Sequence, residues 1–562
     1  MIALLSYQFI LALNDHSFGS LRFKTHEVFN QSTPLVNYNL YTSNRVLREC
    51  MARMDTEWAE KSLKEFGGKL GAEEIIRSGF LANQYPPILR THDRFGERIN
   101  EVDFHPSWHQ LLQLAMENRL HNLPWSSVKK GAHSVRAAMM MMASEIEFGH
   151  LCPISMTFSV FPVLKKHAPQ FLDQWSQLIL SNQYDQRFIP ADEKNGVLCG
   201  MAMTEKQGGS DVRANTSIAK ALNENTEFLL TGHKWFCSAP MVDAFLVLAQ
   251  APKGLSCFFM PRYLPDGTLN NFHIQRLKDK LGNRSNASGE IEFYNAWALL
   301  IGEEGRGIPT IIEMVNHTRL DCTIGSTGLM HQATVQAIHH CLHRSAFGKR
   351  LIDQPLMQNV LADLTLETEA AMQLTMRLAA AFDNAEEQAL QRIITPIAKF
   401  WICKRTPPLI YEALECFGGA GFIEDSIMPR LYREAPLNSV WEGSGNVICL
   451  DVKRAMQNQP AAVESIINEL NLAKGINSSF DTHLIAFSKI ISASLTDNEA
   501  ESRILVEKMA LLLQAALLLR FSPAFMAEAF IDSRLNNSKS LFGTLSSQHN
   551  FQWIIGRMWT EE

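Results

Sequence analysis

The sequence has no Cys-x-x-Cys pair, although it contains ten cysteines scattered between Cys50 and Cys449. Zinc sites and thiol redox motifs usually place two cysteines at this spacing, so the sequence predicts neither, and we expect no metal ion. Unpaired cysteines spread along a long chain are typical of reduced core residues. The cysteine pattern therefore predicts a cytoplasmic protein without structural disulfides.

The sequence also lacks an apolar run long enough to cross a bilayer. Its first segment, MIALLSYQFILALN, is apolar but short, and it does not begin with the basic residues of a signal peptide. We interpret residues 1–22 as a dispensable extension. The later apolar run Met509–Leu519 is interrupted by a polar residue. No membrane-spanning segment is predicted.

Strong net charge of either sign is absent as well. The chain has 52 basic and 58 acidic residues, which gives a formal net charge of −6. This balance does not indicate a polyanionic partner, but it leaves room for a local basic patch. Hydrophobic residues make up 46% of the 562 residues. A chain of this length and composition can bury a large core, divided among about two to four domains.

The hydrophobic pattern divides the chain after the extension into four regions. Residues 23–195 and 304–455 show the apolar spacing of helices, whereas residues 196–303 show short runs rich in β-branched and aromatic residues. A further helical region, residues 456–562, follows the polar linker Gln457–Pro460. The predicted fold class is α+β and mostly helical, with a helical N-terminal domain, a β-barrel-like central domain, a helical bundle and an extra C-terminal helical domain.

Individual elements follow from the same pattern. The predicted strands are Val197–Met203, Thr226–Gly232, Ala244–Ala251, Ser256–Met260, Phe272–Gln275 and Gly289–Tyr294. The predicted helices include Trp108–Arg119, Ser134–Phe148, Ile308–Asn316, His331–Arg344, Leu356–Asn384 and Ala389–Cys403.

One carboxylate is of special interest in the segment LNSVWEGSGNVICLDVKR, residues 437–454. Glu442 follows the bulky Trp441 and precedes a Gly-Ser-Gly-Asn turn and an apolar run with helical spacing. This order can hold a carboxylate at the lip of a helix N-terminus, where a dry pocket would adjust its pKa for general-base catalysis. A solvated helix cap has the same sequence, so the tetrapeptide alone leaves both interpretations open.

Four further segments each allow two interpretations. The Gly-rich turn in TEKQGGSDV, residues 204–212, either binds a phosphate through its N–H groups or is only a turn. GHKWFCS, residues 232–238, either stacks on a flat ring or belongs to a β core. RSAFGKRL, residues 344–351, either clamps a phosphate or joins two helices. FGGAG, residues 417–421, either lets a ligand approach the backbone closely or caps a helix.

These segments, taken in order around a central β domain and ending in WEGSGN, resemble the motifs of the acyl-CoA dehydrogenase family over about residues 36–456. TEKQGGSDV, LKDKLGNRSNAS (277–288), LYRE (431–434) and WEGSGN are closer still to the AidB group of that family, the alkylation-response flavoproteins. The additional C-terminal helical region also fits this group. The resemblance implies FAD as cofactor, bound between the β domain and the later helical bundle.

The resemblance implies which residues contact FAD. The flavin would lie against the end of a strand, its phosphates would meet a Gly-rich turn, and an aromatic and a hydroxyl residue would lie over the ring and near its N5. The matching residues are Met201, Met203, Thr204, Gly209, Ser210, Phe236 and Ser238. Phe236 stands where the family usually has tryptophan, and Ser238 where it has threonine.

The other end of FAD is expected to be contacted by a neighbouring subunit. The matching residues are Arg344, Phe347, Glu415 and Gly419, and Ser444 and Asn446 match contacts that follow the catalytic loop. Glu415 stands where the family usually has glutamine. A site shared between subunits implies an oligomer, and the family suggests a homotetramer built as a pair of dimers.

Glu442 matches the family's usual base, which removes the proton α to a thioester while hydride leaves the β carbon toward flavin N5. Arg319 matches an arginine near that base. Another branch of the family carries its base at the position of Thr318, whose hydroxyl cannot serve. Asp321 and Asp451 are the alternative carboxylates in this sequence.

Three residues near the expected substrate depart from the family pattern. Trp441 replaces a common tyrosine and is expected to narrow the acyl pocket, while Lys206 and Gln207 replace a Pro-x pair. These differences put the turnover of ordinary fatty acyl-CoA in question, and they are also features of the AidB-type sequence.

Two functions follow from the resemblance. The first is FAD-dependent dehydrogenation of a short or branched acyl-CoA, similar to isovaleryl-CoA, with electron-transfer flavoprotein or another acceptor. The second is a flavoprotein of the DNA alkylation response that binds double-stranded DNA, or inactivates the alkylating agent, with weak dehydrogenase activity. From residue 455 onward the chain has eight basic and eleven acidic residues. Because phosphate contacts require Lys and Arg, DNA binding is implied by the resemblance and not by the charge.

Overall fold

The structure is a computed structural model that describes residues 28–223, 226–494, 498–537 and 540–559. The predicted extension, residues 1–22, lies outside the described residues. Residues 28–36 form an arm without regular secondary structure. The N-terminal region then contains helices α1 (Arg45–Met51), α2 (Glu60–Leu70), α3 (Glu73–Gln84), α4 (Pro106–Glu117), α5 (Leu123–Ser126), α6 (Ala132–Ile146), α7 (Leu151–His167) and α8 (Leu172–Ile179).

A β-hairpin interrupts these helices, which the mostly helical prediction for this region missed. Its strands are β1 (Ile88–His92) and β2 (Arg98–Asp103). The carboxylate of Asp93 closes the turn by accepting hydrogen bonds from the backbone N–H groups of Phe95 and Glu97. The buried side chain of Asn100 bonds Ile274 N at 3.0 Å and Phe272 O at 3.2 Å, and so fixes the hairpin to the β domain.

The central region is a strand-rich domain that closes on itself. Its strands are β3 (Cys199–Ala202), β4 (Ile218–Ala221), β5 (Glu227–Ser238), β6 (Ala244–Ala251), β7 (Gly254–Pro261), β8 (Phe272–Leu277) and β9 (Ser288–Ile301). β6, β7, β9, β5 and β4 follow one another as neighbours, and Ile218 on β4 lies opposite Gln250 on β6. The sequence pattern missed only β4 among these strands, because its single buried side chain gives little hydrophobic signal.

The helical bundle is formed by three long helices and three shorter ones. They are α9 (Gly307–His343), α10 (Pro355–Asp383), α11 (Gln388–Glu415), α12 (Met428–Glu434), α13 (Leu437–Val440) and α14 (Gly445–Asn458). A small hairpin, β10 (Ser345–Ala346) and β11 (Lys349–Arg350), joins α9 to α10. The two helices predicted at 308–316 and 331–344 are one continuous helix of 37 residues, which is buried over most of its length.

The C-terminal region packs on this bundle. It contains α15 (Pro460–Asn471), α16 (Ser478–Ser494), α17 (Ser502–Phe521), α18 (Ala524–Phe530), a π-helix (Ile531–Asn536) and α19 (Phe551–Ile555). The predicted linker is shorter than expected, because α14 continues through Asn458 and only Gln459 separates it from α15. In the part of the chain that the structure covers, no helix has the length and apolar character needed to span a membrane.

Candidate active site

Glu442 lies in a constrained loop between α13 and α14. Its backbone has φ +58°, in the left-handed region that few non-glycine residues adopt, and Gly443 follows with φ +105°. The buried Lys399 on α11 donates hydrogen bonds to the carbonyls of Trp441, at 2.9 Å, and Gly443. Neither the left-handed backbone nor the role of Lys399 has a signal in the sequence. Lys399 therefore holds the loop at the residues directly before and directly after Glu442.

Helix α9 supplies the contacts of Glu442 itself. The hydroxyl of Thr318 donates a hydrogen bond to the Glu442 carboxylate at 2.7 Å. The guanidinium of Arg319 donates to the backbone carbonyl of Glu442 at 3.0 Å, and not to its carboxylate. Arg319 thus lies beside Glu442 as predicted, while the contact of Thr318 was not foreseen. These contacts leave the second carboxylate oxygen without a hydrogen-bond partner among the described residues.

The environment of Glu442 raises the pKa of its carboxyl group. Burial is the main cause, and it outweighs the hydrogen bond from Thr318 and the positive charges of Arg319 and Lys399, which lower the pKa. A carboxylate with a raised pKa is a stronger proton acceptor than a solvated one. The geometry thus favours a general base over a solvated helix cap.

The two alternative carboxylates are engaged elsewhere. Asp321 forms a buried bidentate ion pair with Arg136, at 2.6 and 2.8 Å. Asp451 lies between Arg319, at 2.7 Å, and Arg392, also at 2.7 Å. Although burial opposes it, these two arginines lower the pKa of Asp451. Both aspartates therefore serve as partners of arginine and are poorly suited to accept a proton.

The indole of Trp441 has a fixed position next to Glu442. Its N–H donates a hydrogen bond to the side chain of Asn438 at 2.8 Å, and Asn438 donates in turn to Ser326 on α9 at 3.0 Å. The ring of the buried Phe148 lies 6.3 Å from the indole, centroid to centroid. A Cβ atom at Gly325 would lie 2.2 Å from the Phe148 ring, so this glycine makes room for it on α9. The indole of Trp441, the residue before Glu442, is therefore held by Asn438 and lies near the ring of Phe148.

The end of strand β5 approaches the same place from the β domain. The thiol of the buried Cys152 has Ser238, Lys280 and Glu442 as neighbours: burial raises its pKa to about 11, Ser238 and Lys280 oppose this, and Glu442 adds to it. Ser238 and Glu442 thus both act on the Cys152 thiol, Ser238 as a hydrogen-bond neighbour and Glu442 through its charge. Neither Cys152 nor Lys280 is among the residues predicted for the site, although Lys280 belongs to the segment LKDKLGNRSNAS, residues 277–288.

The predicted flavin residues of the β domain lie around this strand end. Met201, Met203 and Thr204 are partly buried along β3 and its continuation, and Trp235 N donates to Thr204 O at 2.8 Å. Gly209 and Ser210 are exposed, and a Cβ atom at Gly209 would lie 2.5 Å from the Thr204 hydroxyl. Phe236 is 52% exposed, with the ammonium of Lys278 4.7 Å from its ring centroid.

These residues fit a flavin. A half-exposed aromatic ring, a threonine hydroxyl and a glycine turn with open backbone can take up a flat heterocycle and its phosphates. The side-chain amide of Asn286, which is 1% exposed, has no nitrogen or oxygen partner among the described residues and has only the Cys152 thiol as a polar neighbour. An unpartnered buried amide is costly unless a ligand or water satisfies it. FAD would supply such polar atoms.

A second group of predicted residues lies at the far end of α9. Arg344 follows this helix, Phe347 is 99% exposed in the β10–β11 hairpin, and Glu415 and Gly419 are exposed at the end of α11. From Thr318 to His343 the helix rises by about 38 Å at about 1.5 Å per residue. Within one chain, the structure does not bring these four residues to Glu442.

The remaining predicted residues are exposed to solvent. Ser444 and Asn446 are exposed at the N-terminus of α14, and the Ser444 hydroxyl does not cap the helix. Lys206 and Gln207 are exposed in the turn between Glu205 and Gly208, where Gln207 donates to Asn215 at 2.7 Å. No hydrogen bond joins Lys206 or Gln207 to Glu442 in the ranges that the structure describes.

Family models match three parts of the chain. The model described as "Adaptive response protein AidB N-terminal domain" matches residues 30–186, and the middle and C-terminal domains of acyl-CoA dehydrogenase match residues 200–296 and 305–457. Together these three matches cover most of the chain outside the C-terminal region.

Known proteins resemble the chain over most of its length. AidB of Escherichia coli (strain K12) is 44% identical over 520 residues, which are 92% of this chain and 95% of that protein. Acyl-CoA dehydrogenase family member 11 of Caenorhabditis elegans is 28% identical over 77% of this chain and 72% of its own length. The crystal structure of C. elegans ACDH-11 in complex with C11-CoA has the same fold, with a TM-score of 0.82, 24% identity, and coverage of 94% of this chain and 97% of that one.

The identity to AidB extends over nearly the full length of both proteins, and the matching domain models follow the order of the helical, strand-rich and helical regions described above. The chain is therefore an oxidoreductase of the FAD-dependent acyl-CoA dehydrogenase family, and it belongs to the AidB branch of that family.

Proposed function

We propose that the protein catalyses the α,β-dehydrogenation of a short or branched acyl-CoA, with Glu442 as the base. The observation that carries this proposal is the Glu442 carboxylate, which has a raised pKa, is bound by Thr318 and is backed by Arg319 and Lys399. FAD, when bound, accepts the hydride. The same site supports removal of an α proton from other small acyl thioesters.

The contacts of Glu442 give its neighbours distinct roles. Thr318 orients the carboxylate through a single hydrogen bond, so the other oxygen can reach a substrate proton. Arg319 and Lys399 bind backbone carbonyls, and therefore fix the loop without pairing with the carboxylate. If either cation paired directly with the carboxylate, it would lower the pKa and weaken the base.

The preference for a short or branched acyl group rests on the aromatic side chains. Phe148 and Trp441 lie 6.3 Å apart, and the indole of Trp441, which directly precedes Glu442, is held by Asn438. Bulky rings fixed by packing and hydrogen bonds exclude a long chain that would need the same space. A preference for acyl groups of the length bound by the C. elegans protein would contradict this part of the proposal.

An oligomer follows from the length of α9. Glu442 contacts this helix at Thr318 and Arg319, whereas Arg344, Phe347, Glu415 and Gly419 lie near its C-terminal end, about 38 Å farther along the axis. One FAD molecule cannot extend over this distance within a single chain. If both groups bind FAD, each cofactor lies between two chains, and we propose a homotetramer built as a pair of dimers.

The compartment and the electron acceptor are also part of the proposal. All ten cysteines are buried and free, which supports a reducing, cytoplasmic environment. Electrons would pass to electron-transfer flavoprotein or a similar acceptor, as the family resemblance implies.

Association with double-stranded DNA, as part of an alkylation response, stays the second hypothesis. It rests on the resemblance to the AidB group alone. Three of the eight basic residues after position 455, namely Arg520, Arg534 and Arg557, form ion pairs inside the protein. These arginines are not free to contact phosphates, so the charge distribution disfavours DNA binding by this region.

The base is tested with the substitution Glu442→Gln. Glutamine keeps the size of the side chain but cannot accept the proton, so we expect reduction of the flavin by isovaleryl-CoA to slow by about 10²-fold or more. Stopped-flow loss of flavin absorbance measures this rate, and the FAD content of the purified protein is compared in parallel.

Glu303→Gln serves as the control, because this glutamate is on the surface and its side chain is 81% exposed. It should reduce FAD at the wild-type rate. An undiminished rate in Glu442→Gln would show that Glu442 is not the base. A colourless wild-type protein under native conditions would overturn the cofactor assignment itself.

A further inference from the structure

The N-terminal arm, residues 28–36, binds the C-terminal end of α9 through Asn30. The side chain of Asn30 forms a two-sided contact with Ser345, donating to its carbonyl at 2.9 Å and accepting from its N–H at 2.7 Å. The backbone carbonyl of Asn30 accepts a hydrogen bond from the guanidinium of Arg344 at 2.6 Å. Asn30 has φ +54°, a left-handed conformation in which its side chain binds Ser345 and its carbonyl binds Arg344.

The arm continues along α9 toward His340. The hydroxyl of Ser32 hydrogen-bonds Nδ1 of His340 at 3.0 Å, and the carbonyl of Thr33 bonds Nε2 of His339 at 2.8 Å. Burial lowers the pKa of His340 to about 4, helped by the nearby charges of Arg344, His339 and His343. His340 is therefore neutral at physiological pH, and its ring can pack against apolar groups.

His340 also connects the arm to a second motif. Its ring stacks on Phe417, with centroids 4.3 Å apart and the planes inclined by 23°. Phe417 begins the FGGAG segment, in which Gly419 is exposed and a Cβ atom would meet no neighbour within 4 Å. The arm, the Arg344 hairpin and the Phe417–Gly421 loop thus form one connected unit, although some 70 residues separate the two motifs in sequence.

We propose that Asn30 and His340 are positioning residues, which hold Arg344, Phe347 and the Phe417–Gly421 loop ready to receive the FAD of a second subunit. The inference rests on the proposed function, because it assumes that these motifs contact a neighbour's cofactor. A loop that already has its bound shape loses less conformational entropy on binding and so binds more tightly. Arg344 keeps its Nε and NH2 groups free of hydrogen-bond partners among the described residues, so an anionic ligand can reach them.

The test compares Asn30 of the arm with Asn37, the residue that follows the arm. Asn30→Gly keeps the left-handed backbone accessible and removes the side-chain bonds to Ser345. Asn37→Gly is the matched control, since Asn37 has φ +56° and its side chain accepts a hydrogen bond from the N–H of Glu73, far from the hairpin. Both variants gain the same freedom in the unfolded chain.

FAD affinity of the apoprotein is measured by quenching of flavin fluorescence, and oligomeric state by light scattering. Loss of the two hydrogen bonds to Ser345 should weaken FAD binding by about tenfold or more in Asn30→Gly. Asn37→Gly should bind FAD like the wild type. His340→Phe retains the stacking on Phe417 and should lose less affinity than His340→Ala.

A purely structural role would lower the thermal midpoint of the apoprotein without changing FAD affinity. That result, or equal FAD affinity of Asn30→Gly and Asn37→Gly, overturns the positioning role and leaves the proposed function intact. A wild-type protein that binds no FAD overturns the proposed function and this inference together.

Discussion

At the scale of single residues, the pKa of Glu442 depends on opposing influences of neighbours distant in sequence. Burial raises the pKa, and the Thr318 hydroxyl, 124 positions away, lowers it by donating to the carboxylate. A catalytic base must be deprotonated, so its pKa sets the acidic side of the pH–rate profile. Thr318 is therefore expected to widen the range of pH in which the enzyme works.

Thr318→Val tests this expectation. Valine keeps the shape but cannot donate, so the pKa of Glu442 should rise further and the acidic limb of the pH–rate profile should move to higher pH. Loss of one orienting hydrogen bond should also slow flavin reduction by about tenfold at neutral pH. The measurement is the rate of flavin reduction by isovaleryl-CoA between pH 5 and pH 9.

The control is Thr323→Val on the same helix, where the hydroxyl donates only to the carbonyl of Arg319. Its acidic limb should coincide with that of the wild type. If Thr318→Val moved the limb to lower pH, the hydroxyl would not be stabilising the carboxylate, and the description of the site would be wrong.

The sequence identified Glu442 by motif and order, but it gave no information on the residues that hold it. From the sequence, Thr318 is only a residue that cannot act as a base, and Lys399 belongs to no motif. Both contacts join positions that are far apart in the chain, and a buried threonine or lysine on a helix has no distinctive local pattern. Tertiary packing creates these contacts, so only the structure reveals them.

At the scale of helices and strands, the hydrophobic pattern predicted most strands of the central domain but misjudged a fully buried helix and missed an exposed hairpin. The strands at 244–251 and 272–277 were predicted within two residues. Helix α9 was divided into two, because a helix buried all round has no amphipathic period to follow. The hairpin at 88–103 was missed, since its turn depends on Asp93 and its position depends on Asn100 of β2 bonding to the distant strand β8.

Ion pairs between elements attach the C-terminal region to the bundle. Glu367 on α10 accepts hydrogen bonds from Arg405 on α11, at 3.0 Å, and from Arg534 in the π-helix, at 3.1 Å. Burial alone would raise the pKa of Glu367, but the two arginines outweigh it and lower the pKa to about 2. The folded pKa lies below that of the unfolded chain, so Glu367 stabilises the fold at neutral pH and loses this effect as the pH falls toward 2.

Glu367→Gln should therefore lower the free energy of unfolding at neutral pH. It should also make that free energy fall less steeply as the pH is lowered. At pH 7 we expect a loss of about 3–5 kcal/mol, because Arg405 loses its buried counter-charge and Arg534 keeps only Asp363 as a partner. Between pH 4.5 and pH 2 the variant should lose about 3 kcal/mol less stability than the wild type. Urea unfolding followed by circular dichroism at a series of pH values measures both quantities.

Glu464→Gln is the matched control, since Glu464 is an exposed glutamate on α15. Its stability should follow the wild-type curve across the whole pH range. A Glu367→Gln protein with the same acid sensitivity as the wild type would mean that other carboxylates control acid unfolding.

At the scale of the whole molecule, the sequence predicted the order of the regions and the family, but not how the last region is attached. The charged residues of this region can be counted in the sequence. Which of them form ion pairs inside the fold cannot be read there, because Arg534 and Arg557 pair with acidic residues more than 160 positions away. Residues that appear available for phosphate in the sequence are engaged within the fold. Fewer positive charges therefore remain on the surface of this region than its sequence indicates, and DNA becomes a less expected partner.

This arrangement leads to a prediction for duplex DNA. With Arg520, Arg534 and Arg557 in internal ion pairs, few cations of the C-terminal region remain to release counterions from DNA. We expect weak binding at low salt that disappears at physiological ionic strength, because the affinity of a few phosphate contacts falls steeply with salt. Fluorescence anisotropy with a labelled duplex across a salt series measures this.

Tight binding at physiological salt would contradict the prediction and favour the DNA-protection hypothesis. In that case a surface outside the C-terminal region would carry the contacts, and the exposed pair Lys129 and Lys130 provides a test. Replacing both lysines by alanine should then lower the slope of log K against log salt by about 2. An unchanged slope would locate the interface elsewhere on the protein, whereas a flat slope in the wild type would exclude phosphate contacts as the source of affinity.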